Sequence, residues 1–394
     1  MPYIHHNLNR LYIIKIAKWF MLTMPILMIF YGEMGFSTEQ SFILKACYSI
    51  AIVVFEIPSG YAADVWGRKF TIIIGSFLGC AGFLIYSLFS GFYTFMLAEI
   101  ILGCGMSFIS GADSAMIYDT LKAHNREQDF MKYEGRNFSV GNFAEALAGL
   151  AGGALAYANL RYPFYAQTII ASLAIPASLS LIEPSVHVNS AKKGIRDIIA
   201  VVKNSLVSNK ALRWNLLFSS LIGSATLAMA WIYPVQMQKL GYNEIEIGTT
   251  HTILNLLLGM VTLYAYRIEQ KLKPRLTVWI TSICITGGFV MAGVGNQYLL
   301  LATLLLFYFC RGIATPVLKD YINRITTSDI RATVLSIRSL LIRAFFAIIG
   351  PLFGYLTDHF SLEQAFILLG AVFFALTLTS ISLFLNTLPR DGQS

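Results

Sequence analysis

Charge is what this sequence has little of. Asp, Glu, Lys and Arg make up 13% of its 394 residues, about half of the roughly 25% usual in a soluble domain. Apolar residues supply 56% and the mean hydropathy is +0.64. These values exclude a disordered chain, a collagen-like chain and an ordinary soluble domain. Cysteine is scarce as well. Cys47, Cys80, Cys104, Cys284 and Cys310 all lie inside apolar runs and none forms a CxxC pair. Neither a disulfide framework nor a zinc site is expected; the thiols read as small buried hydrophobes. GxxxxGK[ST], HExxH and GxSxG are absent, as is any large soluble stretch. Nucleotide hydrolysis, zinc hydrolysis and serine-hydrolase chemistry therefore have no residues to carry them. No enzyme activity, cofactor or metal is expected. The N-terminus carries Arg10, Lys15 and Lys18 before an apolar run to about Phe30, without a small-x-small cleavage site; it reads as an uncleaved first span.

What the chain does have is a series of apolar runs of about 20 residues, each able to cross a hydrocarbon core about 30 Å thick. Twelve spans are expected, at about 11–32, 40–63, 70–91, 93–119, 137–159, 162–182, 212–237, 245–267, 275–295, 297–322, 331–357 and 362–386. Runs such as Phe70 to Leu88 and Ala365 to Leu385 do not alternate in polarity, so the spans are helices and not barrel strands. Most connections are short, but 183–211 is long and carries Lys192, Lys193, Arg196, Lys203 and Lys210. The expected organisation is an N-terminal six-helix bundle (1–182), a cytoplasmic central loop (183–211) and a C-terminal six-helix bundle (212–394). The net charge of +8 does not point to nucleic acid, because the basic residues sit in short loops where a lipid surface accounts for them. Arg68, Lys69, Lys122, Arg126, Arg267, Lys271, Arg324, Arg390 and the central-loop cluster fall on one side, against Lys45, Arg161 and Lys239 on the other. The basic side is cytoplasmic and holds both termini.

Ionisable groups inside a membrane are costly and face a cavity or a partner. They occur in span 2 (Lys45, Glu56), span 4 (Glu99, Asp113, with Asp119 at its end), span 5 (Glu145), span 8 (His251), span 10 (Arg311, with Lys319 and Asp320 near its end) and span 11 (Arg338, Arg343). Spans 3, 6, 9 and 12 have none in their interiors. Every third helix is therefore expected against lipid, with the others around a central cavity, as nested three-helix repeats arrange them. The acids Glu56, Glu99, Asp113 and Glu145 belong to the first half and the bases Arg311, Arg338 and Arg343 to the second. Glu99 and Asp113 are 14 residues apart, close to four turns, so a continuous helix would put them on one face with Gly103, roughly 21 Å apart. Arg338 and Arg343 read either as gate pairs or, with Arg311, as holders of an anion. Trp231, Tyr233 and Tyr31 read either as substrate contacts or as packing and interfacial aromatics.

After span 2 the chain reads Gly60-Tyr61-Ala62-Ala63-Asp64-Val65-Trp66-Gly67-Arg68-Lys69. The glycines permit a tight turn, Asp64 suits a helix N-terminus, and the basic pair marks the cytoplasmic face. The segment closely resembles the GxxxDxxGRK signature of the major facilitator superfamily, and length and the six-plus-six division agree with it. The resemblance implies twelve transmembrane helices in two six-helix bundles around a central cavity. It also implies a gating network of Gly60, Asp64, Gly67, Arg68 and Lys69, in which Arg68 pairs with Asp119 and Asp64 meets the start of span 11. Phe55-Glu56-Ile57-Pro58-Ser59-Gly60 and the stretch from Ser110 to Asp119 resemble a bacterial drug-exporter subgroup, which implies residence in a bacterial cytoplasmic (inner) membrane. Three departures stand out. Span 4 has Glu99 where the family commonly has an arginine. Gly149-Leu150-Ala151-Gly152-Gly153 lacks the proline of drug antiporters. The second-half counterpart of the signature, Arg267 to Lys273, is a basic loop.

With no nucleotide loop, an ion gradient is the expected driving force. A proton-coupling carboxylate is one whose proton affinity burial has raised. Asp113 and Glu99 are the leading candidates, followed by Glu56 and Glu145, the last also a candidate structural partner of an arginine. The expected function is proton-coupled export of a small organic molecule by alternating access, by a monomer in the lipid bilayer. The alternatives are transport of an organic anion, such as a carboxylate or siderophore-like compound, and a non-transporting receptor on the same fold.

Overall fold

The computed structural model describes residues 2–184, 200–294, 296–327 and 330–385, and among them every regular element is helical. Lys192, Lys193 and Arg196 of the expected central loop, and Arg390, lie outside the described residues. The helices are α1 (Pro2–Trp19), α2 (Leu27–Glu33), α3 (Thr38–Val65), α4 (Arg68–Leu88), α5 (Phe92–Ile109), α6 (Ala112–Lys122), α7 (Phe130–Ala158), α8 (Tyr162–Ser172) and α9 (Ala174–Leu179), then α10 (Lys210–Lys239), α11 (Glu244–Gly293), α12 (Gln297–Arg324), α13 (Arg331–His359) and α14 (Leu362–Leu385). Polar side chains start several of them. Ser37 and Gln40 form a reciprocal capping box on α3, Asn209 accepts from Leu212 N, and Asn296 accepts from Tyr298 N. Each supplies an acceptor that a first helical turn lacks.

Among the described residues, eight helical segments are long and apolar enough to cross a membrane, counting 92–122 and 244–293 as one each. The expected spans 11–32, 137–159 and 162–182 are not among them. The first is not continuous: α1 begins at Pro2, and the helix breaks before α2 at Leu27. Pro25 disfavours helical backbone at the residue before it and removes a donor. Within the break the Leu22 amide donates to Gln167 Oε1 at 2.8 Å and to Phe20 O at 3.2 Å. α7 is long, but it is rich in Gly and Ala and carries Glu145, so it is less apolar. Span 4 is broken too, because Gly111 at φ +83° separates α5 from α6. α11 is interrupted at Lys273, φ 63° and ψ 156°, ahead of Pro274.

The chain folds into two compact units, Met1–Val188 with Gly241–Asn255, and Asn189–Leu240 with Leu256–Ser394. In the first, Leu8, Leu11, Ile14 and Ala17 of α1 join Met116, Ile117 and Leu121 of α6, Tyr133 of α7 and Ala177 of α9 in one core. Residues 241–255 belong with this unit because Gly248 lies directly on Gly149 and Gly153, and Thr252 Oγ1 donates to Ala146 O at 2.7 Å. Small residues let helix backbones approach this closely. In the second unit, α10 is largely buried and packs on α12, α13 and α14. Phe289 stacks on Phe373 and meets Phe307 edge-on.

The charge-free helices carry their exposed apolar residues in stripes. Phe70, Phe77 and Leu84 do so on α4, Leu276, Ile283 and Val290 on the second limb of α11, and Ile367, Phe374 and Leu378 on α14. Steps of seven and four keep each set on one helical face. Such faces suit hydrocarbon, whereas water would penalise them.

Candidate functional site

The turn between α3 and α4 is built by Gly67, whose φ of +93° is open to glycine without strain. It leaves the first amides of α4 pointing at the carboxylate of Glu183. Arg68 N donates to Oε1 at 2.9 Å and Lys69 N to Oε2 at 2.6 Å. A charged acceptor at a helix N-terminus matches both the unpaired donors and the helix dipole. The Arg68 guanidinium lies 2.8 Å from Asp64 and 3.7 Å from Asp119. It thereby ties the end of α3 to the end of α6. Asp64 remains largely exposed. Gly60 is exposed with open space around it, and Lys69 lies in the first turn of α4.

Glu99 is fully enclosed, at 0% exposure. Its carboxylate accepts from Lys45 Nζ at 3.0 and 3.1 Å, from Tyr31 Oη at 2.8 Å and from Tyr86 Oη at 2.7 Å. The two tyrosine hydroxyls also lie within hydrogen-bond reach of each other, so their two protons are shared among three contacts. The charge is thus neutralised and its acceptor sites are filled, which is what burying a carboxylate demands. Gly103 lies on the same side of α5, against Tyr48 O and Ala51 of α3. The shared face expected for Glu99 and Asp113 does not exist. The Gly111 break ends the helical count, and Asp113 turns towards α1, 3.8 Å from Lys15 Nζ. Glu56 and Glu145 are half-buried.

Asp113 sits in the first turn of α6, where it accepts from Ser114 N at 2.9 Å. Lys15 also stands 4.8 Å from the centre of the Trp19 ring. The chain comes close there because α7 offers Gly141, where a Cβ would press on Lys15 Cε and Trp19. Asp113 therefore has one loose ionic partner where Glu99 has a close one.

In the second unit Arg338 is 7% exposed. Its Nε donates to Ser219 Oγ, and Ser220 Oγ donates to Arg338 O at 3.3 Å. Arg311 stands 5.2 Å from the Tyr308 ring centre, and Tyr308 meets Tyr233 edge-on. Arg343 is half-buried. Among the described residues, none of these three arginines has a carboxylate at ion-pair distance. Trp231 and Tyr233 are buried in α10 and Tyr31 in α2.

The sequence profile described as Major Facilitator Superfamily matches residues 11–292 and 218–394. The chain belongs to the major facilitator superfamily. It is 22% identical over 364 residues to the uncharacterized MFS-type transporter YxaM of Bacillus subtilis (strain 168), covering 89% of this chain and 88% of that one. It is 24% identical over 161 residues to the quinolone resistance protein NorA of Staphylococcus aureus, covering 41% of this chain and 40% of that one. Among solved structures, the nucleoside transporter NupG superposes with a TM-score of 0.82 at 14% identity, covering 98% of this chain and 99% of that one. A bacterial homologue of the lysosomal transporter Spinster, inward-facing and unoccupied, gives 0.79 at 13% identity, covering both chains in full. At these identities the structural likeness speaks to the fold alone. The chain is a membrane transporter with the fold of this superfamily.

Within that fold, sequence reasoning missed four polar residues. Glu183 closes the signature turn, and its only signal was an acid before Pro184 at the end of an apolar run. Lys15 reads from the sequence as part of the basic N-terminus, yet it lies inside the first unit against Asp113. Glu134 has a buried Oε2 without a partner. Arg161 donates to Phe89 O at 3.2 Å and to Ser90 Oγ, tying the start of α8 to the end of α4.

Proposed function

We propose that this transporter exports a small organic molecule by proton-driven alternating access. The proposal includes twelve spans in two six-helix bundles (1–182 and 212–394), joined by the 183–211 loop, in the bacterial cytoplasmic membrane with both termini inside. The protein acts as a monomer. The observation that carries proton coupling is the contrast between the two carboxylates of span 4. Glu99 is fully compensated by Lys45, Tyr31 and Tyr86, whereas Asp113 is held 3.8 Å from one ammonium. A coupling group must gain and lose a proton, and only a loosely compensated carboxylate does so readily. Export is supported by the likeness to NorA, whose name records quinolone resistance. Arg68, between Asp64 and Asp119, supports a role for the signature turn as a cytoplasmic latch, with Gly60, Gly67 and Lys69 shaping it.

The test is transport of a quinolone probe by the purified chain in proteoliposomes under an imposed pH gradient. Movement that follows the gradient and stops when a protonophore collapses it is expected; movement indifferent to the gradient removes the proton from the proposal. A second reading, transport of an organic anion, is favoured by Arg311, Arg338 and Arg343, which have no carboxylate at ion-pair distance among the described residues. Under it, Arg343→Ala abolishes stabilisation of the protein by small carboxylates in thermal unfolding, where the ligand contributes in proportion to its affinity.

A further inference from the structure

α1, α6 and α7 meet around three charged side chains. Lys15 comes from α1, Asp113 from the first turn of α6, and Glu134 from the start of α7. Lys15 Nζ is 3.8 Å from Asp113 Oδ2, with side chains only 11% and 13% exposed. Glu134 shares this field: Lys15 and Asp113 both act on it electrostatically, and the Ser114 hydroxyl is within hydrogen-bonding reach of its carboxyl. Its Oε2, however, is buried without a partner. One turn along α7, Asn137 is 1% exposed and its Oδ1 is also unpartnered. Asn137 and Gly141 follow Glu134 by three and seven residues, so all three lie on one face, the face that receives Lys15 and Trp19 at Gly141. Lys18, one turn beyond Lys15 on α1, has a partner of its own. Arg136 stands over the Tyr133 ring, and Arg126 is paired with Asp129.

The charge count is the decisive feature. Two carboxylates share one ammonium, which leaves one excess negative charge in a largely dry pocket. An uncompensated buried charge is relieved by taking up a proton, and two carboxylates that share a site cannot both ionise freely. We propose that Lys15, Asp113 and Glu134 form a single-proton site, in which Glu134 is the second carboxylate and Lys15 moves towards whichever acid is ionised. The inference rests on the proton-coupled reading above and extends it to residues outside the spans where coupling acids were sought. Burial pushes the Glu134 carboxyl up from its ordinary range, against the opposing pull of Ser114 and Lys15. A sodium ion would meet oxygen donors here, but it would sit beside the resident ammonium, whereas a proton adds its charge directly to one carboxylate.

The experiment needs no cargo. The infrared carboxyl band of the purified full chain is followed from about pH 5 to about pH 9, where a buried acid with raised affinity titrates. The wild type is expected to show one protonated carboxyl persisting well above the ordinary range. Glu134→Gln and Asp113→Asn each bring the charge count to zero and are expected to remove that band. Lys15→Met leaves two carboxylates without a cation, so the band is expected to persist to higher pH. Variants are compared at matched helical content and monodisperse elution. A Glu134→Gln protein that titrates like wild type overturns the site, as does a Lys15→Met band that shifts to lower pH. A band abolished by sodium at fixed pH assigns the site to a metal cation and also overturns it. If the band behaves as expected but a pH gradient drives no transport, the coupling proposal fails and the site stands. If the gradient drives transport while the band is insensitive to Glu134, the reverse holds.

Discussion

Two carboxylates on neighbouring helices show how surroundings divide the work of chemically similar groups. Glu99 has an ammonium and two phenols around it, so its partners hold three helices together. Removing one member of such a buried pair strands the other, at about 3–5 kcal/mol. Glu99→Gln and Lys45→Met are each expected to lower thermal stability by this order. The double variant is expected to lose clearly less than the sum, giving a large coupling energy in a double-mutant cycle. Additive losses would show that the two side chains do not act as a pair. Arg68 is different in kind. It is partly exposed between Asp64 and Asp119, and pairs of that sort contribute about 1 kcal/mol or less. Arg68→Gln is therefore expected to leave the unfolding temperature nearly unchanged while slowing transport, measured as flux per folded molecule. Unchanged flux would reduce the turn to a topological marker.

At the scale of elements, breaks in helices proved more informative than the helices themselves. Apolar runs make a span legible, because hydrocarbon forces the backbone into internal hydrogen bonds. What a run does not reveal is where it is interrupted. Pro25 gave a signal that the run around it masked, and Gly111 counted as one glycine among 30. The arithmetic that put Glu99 and Asp113 on one face failed at that glycine. The charge-sharing of Lys15 with Asp113 was illegible for the same reason, since a lysine near the N-terminus looks like a loop charge until α1 is seen to begin at Pro2. The signature motif, by contrast, was legible as a turn, although its capping carboxylate lies more than 110 residues away at Glu183. Gly67→Ala is expected to cost about 1–3 kcal/mol, because φ 93° with ψ 158° is a conformation essentially confined to glycine, and the added Cβ would also meet the Glu183 carboxyl at 3.1 Å. Gly152→Val is expected to be more damaging, because a side chain there runs into the Leu22 carbonyl at the α1–α2 break. Folded yield after extraction would separate the two. Equal yields would contradict this account of close packing.

At the scale of the whole molecule, scarcity of charge foretold the class of protein, and the placement of charge foretold more. The charge-free runs became helices with exposed apolar stripes, while largely buried acids and bases met within one half of the sequence, as Glu99 with Lys45 and Asp113 with Lys15 do. Composition could not say which acid is compensated, because compensation depends on which helices meet. The central claim is that protons drive this transporter through Asp113, and one measurement addresses it most directly. Flux of a quinolone probe is compared in proteoliposomes of wild-type and Asp113→Asn protein, with and without an imposed pH gradient. The account predicts that the variant loses gradient-driven flux by at least about tenfold, equivalent to about 1.4 kcal/mol, while still exchanging labelled for unlabelled probe across the membrane. Gradient-driven flux at the wild-type rate in Asp113→Asn would contradict it.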